Sequence, residues 1–402
     1  MVEEVALYWQ VGRDDARLFV KADVAPQGAR ARFVGSRGEL AKHWVIETPN
    51  AEVVGTELLR SGRVRWASLA ALPPPPPSDV EPLTPDFREE QGWLDAFPGL
   101  GFDEAARYVG GNGENVRIVD IEYSWDRDHE DLGAARHAAE WGWHWGEYRF
   151  HGNGVLGTLV GGRNGYGIDG GAPFAEPIVV HPFAAGIESY DVAVALVAAT
   201  DMLDVGDVLL IEQQGYVDDT FCPVSFDEGV YDAIVAAVDA GIVVIEPAGN
   251  GGADLDAAGW SGAFDRARDS GSIVVGSGNP PGSAVPRGWS GSSYGARLDV
   301  QAWGANIATA GSDDGYNDLY FPAGDYRQAY TGHFGGTSGA SALIAAMAAV
   351  IQSVAIGQWG TPIAPRQLRE MLVASGSPQA YGNERIGPQP DLRRVLRTWL
   401  VP

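Results

Sequence analysis

Short apolar runs recur along the chain at Val116–Val119, Ile178–Val180, Val208–Ile211, Ile242–Ile245 and Ile273–Val275. Helical patterns separate several of them, including Tyr190–Leu203 and Phe226–Ala240. A strand that is apolar at every position must be covered on both faces, and helices in the connections supply that cover. The pattern therefore predicts an α/β fold with a parallel sheet sandwiched by helices. In such sheets, chemistry collects in the crevice beyond the carboxyl ends of the strands.

The first part of the chain reads differently. Five consecutive prolines, Pro73–Pro77, form a stiff extended stretch that cannot enter a helix or a central strand. They mark a Pro-rich linker over 73–90, between a module at 1–72 and a larger domain at 91–402. Strand-like runs at Val5–Val11 and Arg17–Val20, and a helix–strand pair around Thr56–Leu69, predict a small α+β module. Charge divides the same way: the formal net charge of −25 splits into +1 over residues 1–72 and −26 over the rest. That acidity argues against nucleic acid and anionic membrane surfaces as partners, because both need clustered Lys and Arg.

Cys222 is the single cysteine, so neither an internal disulfide nor a Cys-based zinc cluster can form. No run of about 18 uninterrupted apolar residues predicts a membrane span. The start, MVEEVALYWQ, lacks the basic and apolar regions of a secretory leader. As it stands, this predicts a cytoplasmic protein, or a secreted one if a leader has been removed.

Four segments carry candidate chemistry. Asp120 follows the apolar run in VRIVDIEYSW, at the open end of a buried strand. His151 begins HGNGVLGTLVGG, near a helix start among small neighbours. Asn250 follows a strand in IVVIEPAGNGG. Ser338 opens a long helix of small and apolar residues in GGTSGASALIAAMAAVIQ, where free N–H groups and the helix dipole favour an oxyanion. Each alone has an ordinary structural explanation: a cap, a packed ring, an Asn-Gly turn, an N-cap serine.

Together, in this order, they resemble the subtilisin-like serine proteases (subtilases). Gly336, Thr337, Ser338, Ala340 and Ser341 match the family's serine box. His151, Gly152, Val155, Gly157 and Thr158 match its histidine box, and Ala248, Gly249 and Asn250 its oxyanion segment. The resemblance covers about residues 90–402, including Ile386-Gly387-Pro388 and Pro390-Asp391-Leu392. Three departures stand out: Glu122 where a small residue is usual, Gly154 in place of a second histidine, and Ala342 in place of a proline. Glu122 adds a negative charge near the cleft.

The resemblance implies a serine endopeptidase, a hydrolase that cleaves peptide or protein substrates through an acyl-enzyme. Ser338 would be the nucleophile and His151 its base. Asp120 would orient the imidazole, and Asn250 with the Ser338 N–H would hold the oxyanion. Substrate would lie extended between an edge at Gly186-Ile187 and an edge at Gln213-Gln214-Gly215, with Pro247, Ala248 and Gly249 walling the specificity pocket. A neutral side chain is expected there, with Glu246 leaving a basic preference open. The family commonly carries structural calcium, and Asp131 and Asn164 match ligand positions. The N-terminal module would act as a propeptide that keeps a zymogen inactive, its partner being the chain's own catalytic domain. Two alternatives remain at this point: a catalytically silent subtilase fold used for binding, and a sedolisin-type peptidase, which would need Glu as base and Asp in the oxyanion hole.

Overall fold

The computed structural model describes residues 13–33, 37–71, 83–183, 189–280, 291–379 and 384–401. The chain divides into two compact units, Met1–Pro82 and Leu83–Pro402.

The first unit contains β1 (Arg13–Lys21), β2 (Arg30–Ala31), β3 (His43–Glu47), α1 (Ala51–Arg60) and β4 (Trp66–Ala71). Its strands form an antiparallel sheet in the order β2-β3-β1-β4. Leu18, Val20, Ile46, Ala67 and Leu69 make a small core with Ala51 and Leu58 of α1. The helix and strand read around Thr56–Leu69 are α1 and β4, and the run at Arg17–Val20 lies in β1. The run at Val5–Val11 and the five prolines lie outside the described residues.

In the second unit, Thr84, Asp86 and Phe87 belong to the body although they fall in the stretch read as linker. Phe87 N–H donates to the Gly167 carbonyl, and Thr84 Oγ1 donates to Glu130. A short helix follows, α2 (Phe102–Ala105), and then, in chain order, β5 (Arg117–Ile121), β6 (Ala139–Trp141), α3 (Arg149–Val160), β7 (Glu176–Val180), α4 (Val192–Asp201) and β8 (Val208–Ile211). Next come β9 (Gln214–Val217), β10 (Thr220–Pro223), α5 (Glu228–Asp239), β11 (Val243–Pro247), β12 (Ile273–Gly278), β13 (Val300–Trp303), β14 (Ile307–Ala310) and β15 (Tyr330–Phe334). The long α6 (Gly336–Trp359), α7 (Pro365–Ser375) and the short α8 (Leu392–Val395) complete the unit.

Seven strands form one parallel sheet in the order β13-β12-β11-β8-β5-β7-β6. Side chains alternate across it. Ile118, Val208, Leu210, Val243 and Ile245 face α3 and α6, whereas Val119, Ile121, Leu209, Ile211 and Val244 face α4 and α5. This is the predicted sandwich, and every apolar run that suggested it lies in or adjoins one of its strands. Asp191 and Asp227 cap α4 and α5 by accepting from Val194 N and Val230 N. The α6 helix is long and apolar enough to cross a membrane, but it is buried as the core helix beneath the sheet. The edge strands β6 and β13 and the hairpins β9–β10 and β14–β15 escaped sequence reading, because they are short and lack a continuous apolar run.

Candidate active site

The carboxyl ends of β5, β8 and β11 and the N-terminal turns of α3 and α6 converge on a cavity of about 390 Å³. His151, Asn250, Thr337 and Ser338 line it. His151 and Ser338, far apart in the chain, meet there because α3 and α6 pack together on one face of the sheet.

His151 stands on the first turn of α3, with its ring partly exposed. Its Nδ1–H donates to Glu122 Oε2 at 2.5 Å. Glu122 is fully buried, and its other oxygen accepts from Tyr123 N. Burial by itself lowers the His151 pKa, but the Glu122 carboxylate overrides it and holds the ring above its ordinary value. Gly152 makes room for this pair: a Cβ there would lie 2.1 Å from the Ser124 carbonyl oxygen and 2.9 Å from Glu122 Cγ. The unusual Gly154 is explained by Phe334, whose ring would be 2.8 Å from a Cβ at that position and packs edge-on to His151.

Asp120 does not have the place expected of it. It is fully buried and neither carboxyl oxygen has a hydrogen-bond partner. Burial and the neighbouring Glu122 charge push its pKa well above the carboxylate range. The reason is depth. Glu122 directly follows β5, whereas Asp120 lies two residues earlier within the strand, about 7 Å deeper along it. His151 meets the chain at the level of Glu122.

Ser338 is the third residue of α6, so its N–H has no intrahelical acceptor. The two preceding N–H groups are occupied: Gly336 N donates to the Gly304 carbonyl and Thr337 N to Asn250 Oδ1. No described residue accepts from Ser338 N. Gly336 has φ +74°, and a Cβ there would approach the Asn250 amide to 3.3 Å. Thr337 Oγ1 also donates to Asn250 Oδ1, at 2.8 Å. With its oxygen held twice, Asn250 keeps its NH₂ group for the cavity. A nucleophile, an imidazole held by a carboxylate, and two free N–H donors are the parts acyl transfer requires.

A family model of the subtilases matches residues 142–387. The chain belongs to the subtilase family. No curated protein matches this subtilase. Among solved structures it is similar to fervidolysin from Fervidobacterium pennivorans, a keratinolytic enzyme related to subtilisin. The two are 18% identical, with a TM-score of 0.58, over 96% of this chain and 62% of that one. It is also similar to a cold adapted subtilisin-like serine proteinase, 20% identical with a TM-score of 0.49, over 70% of this chain and 89% of that one. The likeness to fervidolysin concerns the fold, and this subtilase spans 62% of that protein's length.

Of the substrate-contacting residues expected, Gln213, Gln214 and Pro247 line the cavity. Gln213 is tied on both sides, donating to the Ile121 carbonyl and accepting from Tyr190 OH. Gln214 accepts from Asn250 N–H at 2.9 Å and so braces the oxyanion segment. Gly215 pairs with Cys222 in the β9–β10 hairpin and borders a second, wider groove of about 1050 Å³. Ala248 and Gly249 lie behind the lining, with Gly249 against the Cys222 backbone. Gly186 lies outside the described residues. Glu246 is not in the cavity: its oxygens accept from Ser225 N and Ser272 Oγ in a buried network.

The expected calcium ligands do not fit a cation. Asp131 Oδ1 accepts from Asn164 Nδ2, and Oδ2 accepts from Ile168 N and Tyr330 OH. The carboxylate is thus closed by donors, and Asn164 offers it N–H rather than oxygen. Burial pushes the Asp131 pKa up to about 7 despite these bonds. Among the described residues, no group of three or more His, Cys, Asp and Glu could hold a metal.

Sequence reading missed Glu212, Tyr123, Trp145 and Tyr148, which also line the cavity. The signal for Glu212 was a charged residue directly after the wholly apolar Val208–Ile211. The aromatic residues flank Glu122 and His151 in sequence.

Proposed function

We propose that this subtilase hydrolyses peptide bonds in protein or peptide substrates with a Glu122–His151–Ser338 triad, and that Glu122 does the work first expected of Asp120. The observation that carries this reading is the Nδ1–H to Glu122 hydrogen bond, which leaves His151 Nε2 as the base. Neutral His151 takes the Ser338 proton as Oγ attacks the scissile carbonyl. Asn250 Nδ2 and Ser338 N–H receive the oxyanion. The tetrahedral intermediate collapses as His151 returns its proton to the leaving amine, and water then cleaves the acyl-enzyme by the same route in reverse. The residues expected to bind calcium serve instead as a hydrogen-bonded loop closure.

An imidazole in the base position and an amide in the oxyanion position support this reading over a sedolisin-type mechanism. Free donors around an accessible cavity support it over a silent fold. The test is labelling by a fluorophosphonate probe. The wild type is expected to be labelled at Ser338, and the Ser338→Ala variant to be neither labelled nor active on casein. Near wild-type hydrolysis by that variant would remove the assignment.

The module at residues 1–72 fits a propeptide that guards the catalytic domain, a reading supported by its place in the chain, its own small core and its near-neutral charge beside an acidic body. Mass spectrometry of the incubated full chain tests it. Self-cleavage on either side of the proline run is expected, and an uncut chain with full activity would make the module a partner-binding or targeting domain.

A further inference from the structure

The cavity holds more carboxyl groups than the triad uses. Asp120 pairs across the parallel ladder with Leu210, and Ile121 with Ile211. Glu122 and Glu212 directly follow these two strands, β5 and β8, and the Glu122 charge acts on Glu212. Asp120 faces α3 and α6 by the alternation of β5, Glu122 bonds His151 of α3, and Glu212 lines the cavity with Ser338 of α6. Their exposures are 0%, 0% and 4%. Glu122 has His151 for a partner, whereas neither oxygen of Glu212 has any. Ser338 stands close to Glu212, short of a well-directed hydrogen bond.

The groups facing Glu212 are Asp120 and Glu122 from β5, Ser338 from α6 and, across the cavity, His151 from α3. The neighbouring Gln213 amide is occupied elsewhere. Among the described residues lining the cavity, the imidazole of His151 is held by Glu122. Burial, followed by the Asp120 and Glu122 charges, raises the Glu212 pKa well above the carboxylate range. A buried carboxylate without a partner is costly, so burial favours the protonated form of Glu212.

We propose that Glu212 is a positioning residue that sets the upper pH limit of this subtilase: uncharged, it leaves the Ser338 hydroxyl to His151, and ionised, it accepts that hydroxyl's hydrogen bond and opposes the oxyanion. No proton passes from Glu212 to substrate. Loss of the Glu212 proton to solvent turns a weak acceptor into a strong one beside Oγ. Ser338 O–H then points away from His151 Nε2, and a fixed negative charge faces the tetrahedral intermediate. This inference rests on Ser338 and His151 acting as described above.

The experiment measures kcat/KM on a peptide substrate, and the rate of fluorophosphonate labelling of Ser338, across the neutral and alkaline range. The wild type is expected to lose both activities together at high pH. Glu212→Gln keeps the shape but cannot ionise, so its alkaline limb is expected to move up by about one pH unit or more, or to vanish. Asp120→Asn removes a neighbouring carboxyl whose own ionisation opposes that of Glu212, so its alkaline limb is expected to move down. The opposite shifts keep the test informative if one variant folds poorly. An alkaline limb unchanged in Glu212→Gln, or abolished in Asp120→Asn, overturns the proposal. So does a wild-type profile with no alkaline limb. A wild type that is never labelled removes the reading of Ser338 itself, which separates the two failures.

Discussion

Glu122 Oε2 accepts the Nδ1–H of His151 at 2.5 Å, while Asp120, two residues earlier on the same strand face, touches no donor. The carboxylate that orients the imidazole is thus carried by a longer side chain, one pleat nearer the mouth of the cavity. The arrangement favours the Nδ1–H tautomer and leaves Nε2 without a proton.

Glu122→Gln is expected to lower kcat by about 10²–10⁴-fold, because an amide can present its NH₂ to Nδ1 and favour the wrong tautomer. Asp120→Asn is expected to cost less than about tenfold near the optimum, since no catalytic group depends on it. The pH profile supplies a second readout. The Glu122 charge raises the His151 pKa, so wild-type hydrolysis rises with pH through a midpoint above about 6.5. In Glu122→Gln the residual activity should rise at lower pH. Equal losses in the two variants would contradict the pairing.

Asn250→Ala is expected to lower kcat by about 10²–10³-fold, or about 2.7–4 kcal/mol of transition-state stabilisation, with little change in KM. The amide oxygen also holds the Thr337 N–H and hydroxyl, so the thermal midpoint should fall as well. Steady-state kinetics beside thermal melting separate the two effects. A loss confined to KM would contradict the oxyanion role.

Gly152→Ala is expected to damage stability and activity together. The added methyl meets the Ser124 carbonyl oxygen at 2.1 Å and Glu122 Cγ at 2.9 Å, and the first of these is backbone that cannot swing aside. Overpacking of this kind costs about 1–3 kcal/mol, and a shift of Glu122 would loosen the imidazole. Chemical denaturation and kcat measured on the same preparation check the joint loss.

Stability should be greatest in mildly acidic solution. Burial raises the Asp131 pKa from 3.8 unfolded to about 7 folded. The folded state therefore holds this proton more tightly. Its contribution is fully present below the unfolded value and is lost as pH rises toward about 7. Asp120, Glu212 and Glu246 are raised in the same direction, each chiefly by burial. At the other end, burial works against Asp269, but Arg369 overrides it and holds its carboxyl well below the ordinary range. That contribution is present above the unfolded value and fades as pH falls below about 4. Thermal midpoints measured across pH 4–9 should peak on the acid side of neutrality. A midpoint that climbs steadily through pH 8 would contradict the buried carboxyls' dominance.

Much of the architecture was legible because it is written locally. Apolar runs between helical patterns dictate a covered parallel sheet wherever they occur. The residues around His151, Asn250 and Ser338 announce themselves by small neighbours at strand ends and helix starts. The α6 helix was readable for the same reason, since a run of small apolar residues behind a serine N-terminus marks a helix that can pack closely.

The choice between Asp120 and Glu122 was not legible in this way. Both carboxyls share one face of β5, and which of them meets His151 depends on how deep α3 sits against the strand, a matter of packing. Glu212 acquires its surroundings only when β8 docks beside β5 in register, bringing together residues 90 positions apart. Asp131 and Asn164 had the composition of a cation site, but the folded loop turns an amide N–H, a main-chain N–H and a tyrosine hydroxyl onto the carboxylate. The sequence by itself determined the sheet, its covering helices and which segments bear reactive groups, because periodicity and helix and strand ends are short-range properties. The tertiary structure alone decided which carboxyl holds the imidazole and which are pushed toward the protonated form by burial, because hydrogen-bond reach and burial are set by neighbours that the linear chain does not name.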